Sequence, residues 1–182
     1  MRAKQGEILI SVESPLQDTF VSPGGMVFYN DLHSTQRPQN ASQVGTVAAA
    51  GEGTGLEPGD TVHFAWDVTA DPDNRVLYGD VDVHRAVAEK KGVVGQVYAK
   101  ISEKGIEPLF GWCYVEPVRK TTTFMEYSGE ELLEDRGILR FAEDGSLIGK
   151  MVFFPSECAS VNSVNGVNYY VLEHKMIVAY ED

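Results

Sequence analysis

Residues 45–64 read GTVAAAGEGTGLEPGDTVHF, and this stretch decides the fold. GTVAAA has the small and β-branched make-up of a strand, GEGTG turns it, and Pro58-Gly59 forms a second tight turn before TVHF resumes extended chain. The same order returns later as GILRFAEDG (137–145) and GKMVFFPSE (149–157). Gly45-Thr46-Val47 answers to Gly137-Ile138-Leu139, and Gly59-Asp60-Thr61-Val62 to Gly149-Lys150-Met151-Val152, at offsets of 92 and 90 residues. One long, nearly constant interval means two domains rather than a solenoid, which needs several short units. The expected architecture is therefore all-β, with two tandem small β-barrels over residues 1–105 and 106–182, joined near Ser102–Pro108.

Outward from that stretch, GEILISV (6–12) has the pattern of a half-buried strand. Residues 15–43, PLQDTFVSPGGMVFYNDLHSTQRPQNASQ, break every pattern, and a loop of that length inside a compact domain is usually functional or disordered. DVTADPDNR (67–75) reads as a loop, RVLYGDVDVHRAV (75–87) as a hairpin and VVGQVYAKISEK (93–104) as a strand. In the second half PLFGWCYVEPV (108–118) is strand-like, TTTFMEYSGEELLEDRG (121–137) is irregular, and YYVLEHKMIVAYED (169–182) reads as one alternating closing strand.

The 182 residues hold 15 basic against 27 acidic side chains, a net charge of −12 shared by both halves. Such a surface repels phosphate backbones and anionic headgroups, so neither nucleic acid nor membrane is an expected partner. Its simplest role is solubility. Cys113 and Cys158 lie far apart with no C-x-x-C spacing, which points to a reducing compartment. The first residues, MRAKQGEILISVESP, lack an apolar stretch long enough for a signal peptide, and no run approaches the ~18 apolar residues of a membrane helix. The expected location is the cytoplasm, with a virion as the alternative.

SPGGMVF (22–28), GTVAAAGEG (45–53) and LEPGDTVHF (56–64), in that order after an opening strand, resemble the GroES-like co-chaperonin family. VYAKI (97–101) and MIVAYE (176–181) stand where that family's barrel-closing strand would. The resemblance implies two GroES-like barrels and a loop whose hydrophobic triplet docks in a groove on a chaperonin ring in an ATP-dependent cycle. Met26, Val27 and Phe28 would be the triplet, with Gly24-Gly25 letting the chain turn before it. The alternative reading of the same residues is an ordinary strand after a glycine turn. The resemblance also implies homo-oligomers through the terminal strands, which would cover apolar edges such as GEILISV and KMIVAYE. Three departures stand out. The family's roof hairpin is cut to GEGTGLE, residues 71–92 form an insertion with no counterpart in the second unit, and the loop at Thr121–Asp135 lacks the Gly-Gly-hydrophobic triplet.

No constellation suggests an enzyme, a cofactor or a metal. Asp71, Asp73, Asn74, Asp80 and Asp82 fail the EF-hand frame, because Arg75 and Val76 occupy the fifth and sixth positions. His33, His63, His84 and His174 have no ligand spacing, and GEGTG lacks the third glycine and the helix of a dinucleotide site. Alcohol dehydrogenases contain a GroES-like domain, but their nucleotide-binding half has no equivalent here. Two function classes remain: a non-enzymatic co-chaperonin, or a viral capsid, decoration or connector component built on the same barrel.

Overall fold

The computed structural model describes residues 2–13, 19–21, 25–29, 41–78, 81–88, 95–119 and 132–181. The chain is mostly β and divides into two compact units, Met1–Glu103 and Lys104–Asp182.

The first unit contains β1 (Glu7–Ser11), β2 (Thr19–Val21), β3 (Val27–Tyr29), β4 (Val44–Ala50), β5 (Thr61–Phe64), β6 (Arg75–Tyr78), β7 (Val81–Val87) and β8 (Val97–Ser102). Six of these run in the order β6-β7-β1-β4-β5-β8 within a seven-stranded antiparallel sheet. β1 lies in its middle, so Ile8, Leu9 and Ile10 are all buried, and the strand reads as consecutive rather than alternating apolar residues. A bulge separates two of its pairs: Leu9 faces Ala49, Ile10 faces Val47, and Ala48 is left over. Gly45 is required beside it, because a Cβ there would lie 2.7 Å from Ile10 Cγ2 and 2.8 Å from the Ser11 carbonyl. The turn before β5 is locked to β4: the Gly59 N–H donates to the Val47 carbonyl and the Val47 N–H to the Asp60 carbonyl, both at 2.8 Å. Gly59 has φ +97°, a left-handed conformation that glycine adopts without a Cβ clash.

The second unit contains β9 (Gly105–Pro108), β10 (Trp112–Arg119), β11 (Leu132–Ala142), β12 (Met151–Phe153), β13 (Ser160–Val164), β14 (Val167–Glu173) and β15 (Ala179–Glu181). Its ladder runs β13-β14-β10-β11-β12-β15, the same sequential order as those six strands. The agreement extends to the register. Tyr114 faces Phe141 and Val115 faces Leu139 across a bulge, as Leu9–Ala49 and Ile10–Val47 do. Gly149, at φ +88°, donates to the Leu139 carbonyl at 2.8 Å, and Leu139 donates to the Lys150 carbonyl at 3.0 Å. Phe64 N–H bonds the Gln43 carbonyl at 2.9 Å, and Phe154 N–H bonds the Asp135 carbonyl at 3.0 Å. A Cβ on Gly137 would meet the Glu116 carbonyl and come within 2.6 Å of Val115 Cγ1, the crowding seen at Gly45.

These registers align the two cores residue by residue. The second unit buries Cys113, Val115, Leu139, Val152, Phe154, Tyr170 and Leu172 together. The first unit holds Ile8, Ile10, Val47, Val62, Phe64, His84 and Ala86 at the matching ladder positions, all buried. On the opposite face Leu9, Ala49 and Val83 pack together in the first unit. Tyr114, Phe141 and Tyr169 take those places in the second, as mutual edge-to-face rings 5.8–6.4 Å apart.

Several expectations need correction. Within the expected insertion 71–92, β6 and β7 have a counterpart: they pair as Val76–Val83 and Tyr78–Val81, just as β13 and β14 pair as Asn162–Tyr169 and Val164–Val167. Closed barrels were expected, but no pairing among the described residues joins β6 to β8 or β13 to β15. The outer strands are short, with β6 having four residues and β15 three, and a short edge limits continued pairing. The supposed loop 15–43 contains the β2–β3 pair, and the irregular stretch 121–135 gives way to β11 at Leu132. DVTADPDNR holds α1 (Asp67–Ala70) and a 3₁₀ turn over Pro72–Asn74, whose start Asp71 caps by accepting from the Asp73 N–H. The closing strand is two strands, β14 and β15, separated by a 3₁₀ turn at His174–Met176.

Candidate partner-binding site

The residues expected to bind a partner lie between β1 and β4. Backbone pairing joins Thr19 to Tyr29, Phe20 to Phe28 and Val21 to Val27, which makes a two-stranded sheet separate from the main sheet. Val27 and Phe28 therefore lie on a strand, β3, and Met26 immediately precedes it. Gly25 has φ +81° with open space where a Cβ would project, so the chain reverses there at little steric cost. Met26 is 63% exposed, an unusual position for a large apolar side chain. Gly24 lies outside the described residues, as do the side chains of Val27 and Phe28.

The matching connection in the second unit joins β10 to β11. Arg119 pairs with Leu132 at its base, and residues 120–131 lie outside the described ones. Beside that base, Glu116, Pro117, Arg119, Leu132, Gly166, Val167 and Asn168 line an open cleft of about 360 Å³. Arg140 and Glu116 form an ion pair on this unit.

Burial pushes the Cys113 thiol up to about 12, far from the thiolate a nucleophile needs. Cys158 is half-buried, and both cysteines are free. His63 lies on β5 with no exposed surface, edge-on to Tyr98 at 5.2 Å, and burial pulls its pKa down to about 4. His84 on β7 is also buried and depressed by desolvation, against Asp82 and the Val68 backbone, which favour the charged ring. Asp82, from the suspected acidic patch, instead pairs with Arg75 at 2.7 Å, and Asp71 serves as the cap described above. Among the described residues no group of three His, Cys, Asp or Glu side chains is placed to hold a metal, and no helix is long and apolar enough to cross a membrane.

The hairpin was missed in the sequence although its signal is present: TFV and VFY are β-branched and aromatic triplets flanking SPGGM. Comparison with known proteins finds no family model that matches the chain, and no curated protein matches it significantly.

Proposed function

We propose that this protein is a co-chaperonin-like factor built from two tandem GroES-like units, which caps or regulates a chaperonin ring through the β2–β3 hairpin. The observation that carries the reading is Met26, 63% exposed beside the left-handed Gly25 at the start of β3, in a hairpin outside the main ladder. The apolar sequence Met26-Val27-Phe28 is then presented by backbone that the main sheet does not use. Burying three such side chains in a groove is worth about 1.5–3 kcal/mol each before ordering costs, a weak contact singly. Several copies in one assembly turn weak contacts into tight capture through effective concentration. Supporting the fold part of the proposal, both units share one strand order and one bulge register.

The proposed assembly is a homo-oligomer joined through terminal strands. β15 favours this, since Ala179, Tyr180 and Glu181 are all exposed along a sheet edge. A stable monomer by sedimentation at micromolar concentration would remove that part. Two free cysteines and an acidic surface suit a reducing, cytoplasmic setting. The function is tested by mixing the full chain with a chaperonin. Co-elution that depends on ATP, with an altered ATPase rate, supports the proposal. No co-elution and no change in rate, or recovery of the chain only as a component of an assembled particle, overturns it.

A further inference from the structure

The β13–β14 hairpin reverses through Asn165-Gly166, the single Asn-Gly pair in the sequence. Both residues are left-handed, at φ +52° and +79°, and Val164 faces Val167 across the closing pair, which defines a two-residue type I′ turn. The same dipeptide has a chemistry of its own. A side-chain amide carbon stands one residue before a backbone nitrogen that no Cβ shields. We propose that Asn165-Gly166 is a site of spontaneous deamidation, and that the isoaspartate it forms unlocks the β13–β14 hairpin.

The reaction needs only water. The Gly166 N–H gives its proton to solvent, and its nitrogen bonds to Asn165 Cγ. The Cγ–Nδ2 bond breaks, and the departing nitrogen takes up a proton and leaves as ammonia. Water then opens the five-membered imide at either carbonyl carbon, which leaves aspartate or isoaspartate.

The structure singles out this asparagine. Asn165 and Gly166 are both exposed, and open space surrounds the point where a Gly166 Cβ would project. Asn74 Nδ2 instead donates to the Asp67 carbonyl at 3.2 Å. Asn162 is buried, and its Nδ2 donates to Ser160 Oγ at 2.8 Å. Asn168 lies within β14 and is followed by the half-buried ring of Tyr169.

The fold also sets the consequence. Isoaspartate routes the chain through its side-chain carbon, adding one backbone atom and a free carboxylate. A two-residue turn has no slack for that atom, so the Val164–Val167 pair loses its register first and Asn162–Tyr169 next. Val164, only 2% exposed, then leaves its packing. Among the described residues β13 pairs with β14 alone, so no second strand holds it in place. In the first unit the sequence between Tyr78 and Val81 is Gly79-Asp80, with no side-chain amide, so the change falls on the second unit. Ring closure departs from the type I′ dihedrals, and the end of the hairpin must open before it can occur.

The experiment incubates the full chain at pH 8 and 37 °C and maps its peptides by mass over several weeks. The peptide holding residues 165–166 should gain about 1 Da before any other asparagine-containing peptide does. It should also accept labelled methyl groups from S-adenosylmethionine and a purified isoaspartyl carboxyl methyltransferase. A synthetic peptide of residues 161–168 should convert at least about tenfold faster than the intact chain, because it has no turn to open. In the converted chain the Val164 and Asn162 amides should exchange hydrogen about tenfold faster or more. An Asn165→Gly variant keeps a turn that glycine suits and should show neither the mass gain nor the faster exchange. If that variant fails to fold, the parent chain's peptide map and exchange rates still decide. Earlier conversion at another asparagine, no conversion at Asn165 while the free peptide is consumed, or unchanged exchange in the converted chain would each overturn the proposal. No partner takes part, so the outcome is independent of the chaperonin reading.

Discussion

Lys100 Nζ lies 2.8 Å from Asp60 Oδ1, tying β8 to the turn that precedes β5. The matching pair in the second unit is Lys150 and Tyr180, with the ammonium 4.7 Å from the ring centroid. The contact persists between the same two ladder positions while its chemistry changes from an ion pair to a cation–π contact. Asp60 has a second task, since its Oδ2 accepts from the Glu57 N–H at 2.9 Å. Lys100→Met should therefore cost only about 0.2–1 kcal/mol. Asp60→Ala, which also leaves the Glu57 N–H without its acceptor, should cost about 1–2 kcal/mol. The Lys100 hydrogen bond lowers the Asp60 pKa below its usual 3.8, so this contribution is full above that value and lost as pH falls further. Urea midpoints of the two variants at pH 7 and pH 3 check both the order and the sign.

Gly45→Ala and Gly137→Ala should each destabilise by about 1–3 kcal/mol, because the new methyl group meets backbone carbonyls that cannot move aside. Each loss should fall mainly on its own unit. Gly45→Ala should shift the transition that Trp66 reports, and Gly137→Ala the one that Trp112 reports. A Gly53→Ala control, with open space around its Cβ position but φ +84°, carries only a left-handed backbone penalty of about 1–2 kcal/mol.

The two cysteines should react with a thiol reagent at very different rates. Cys158 is half-buried and should label in the folded protein within the ordinary time for a hindered thiol. Cys113 sits in the second unit's core with its thiol pushed up to about 12, so it should label only as fast as that unit opens. Counting labels per chain by mass, with and without urea, checks this directly. Fast labelling of Cys113 in buffer would mean that the β10 core is not packed as described.

The all-β class was legible in the sequence because the residues that mark it are fixed by backbone geometry. Gly45 and Gly137 are required by a close strand approach, and Gly59 and Gly149 by left-handed turns, so these letters survive where neighbouring side chains differ. The β6–β7 counterpart was not legible, since RVLY and SVNSV share a ladder position but almost no letters. Strand pairing there rests on backbone hydrogen bonds, which leave no motif. The break between β14 and β15 was hidden because the His174–Met176 turn uses neither glycine nor proline. At the candidate site, Gly-Gly and the apolar triplet were readable, whereas the pairing of Phe20 with Phe28 depended on seeing strands in a segment that is otherwise polar.

The central claim is that Met26, Val27 and Phe28 form a docking surface outside the structural ladder. The most direct measurement combines the melting temperature of a Val27→Asp variant with its ATP-dependent capture by a chaperonin. An introduced carboxylate cannot enter an apolar groove without a large desolvation cost, and the loss multiplies over an assembly. The predicted result is near-complete loss of capture with the melting temperature within about 2 °C of the parent, corresponding to a stability change below ~0.5 kcal/mol. A clearly lowered melting temperature with chaperonin capture intact would contradict the claim and make β3 a structural strand.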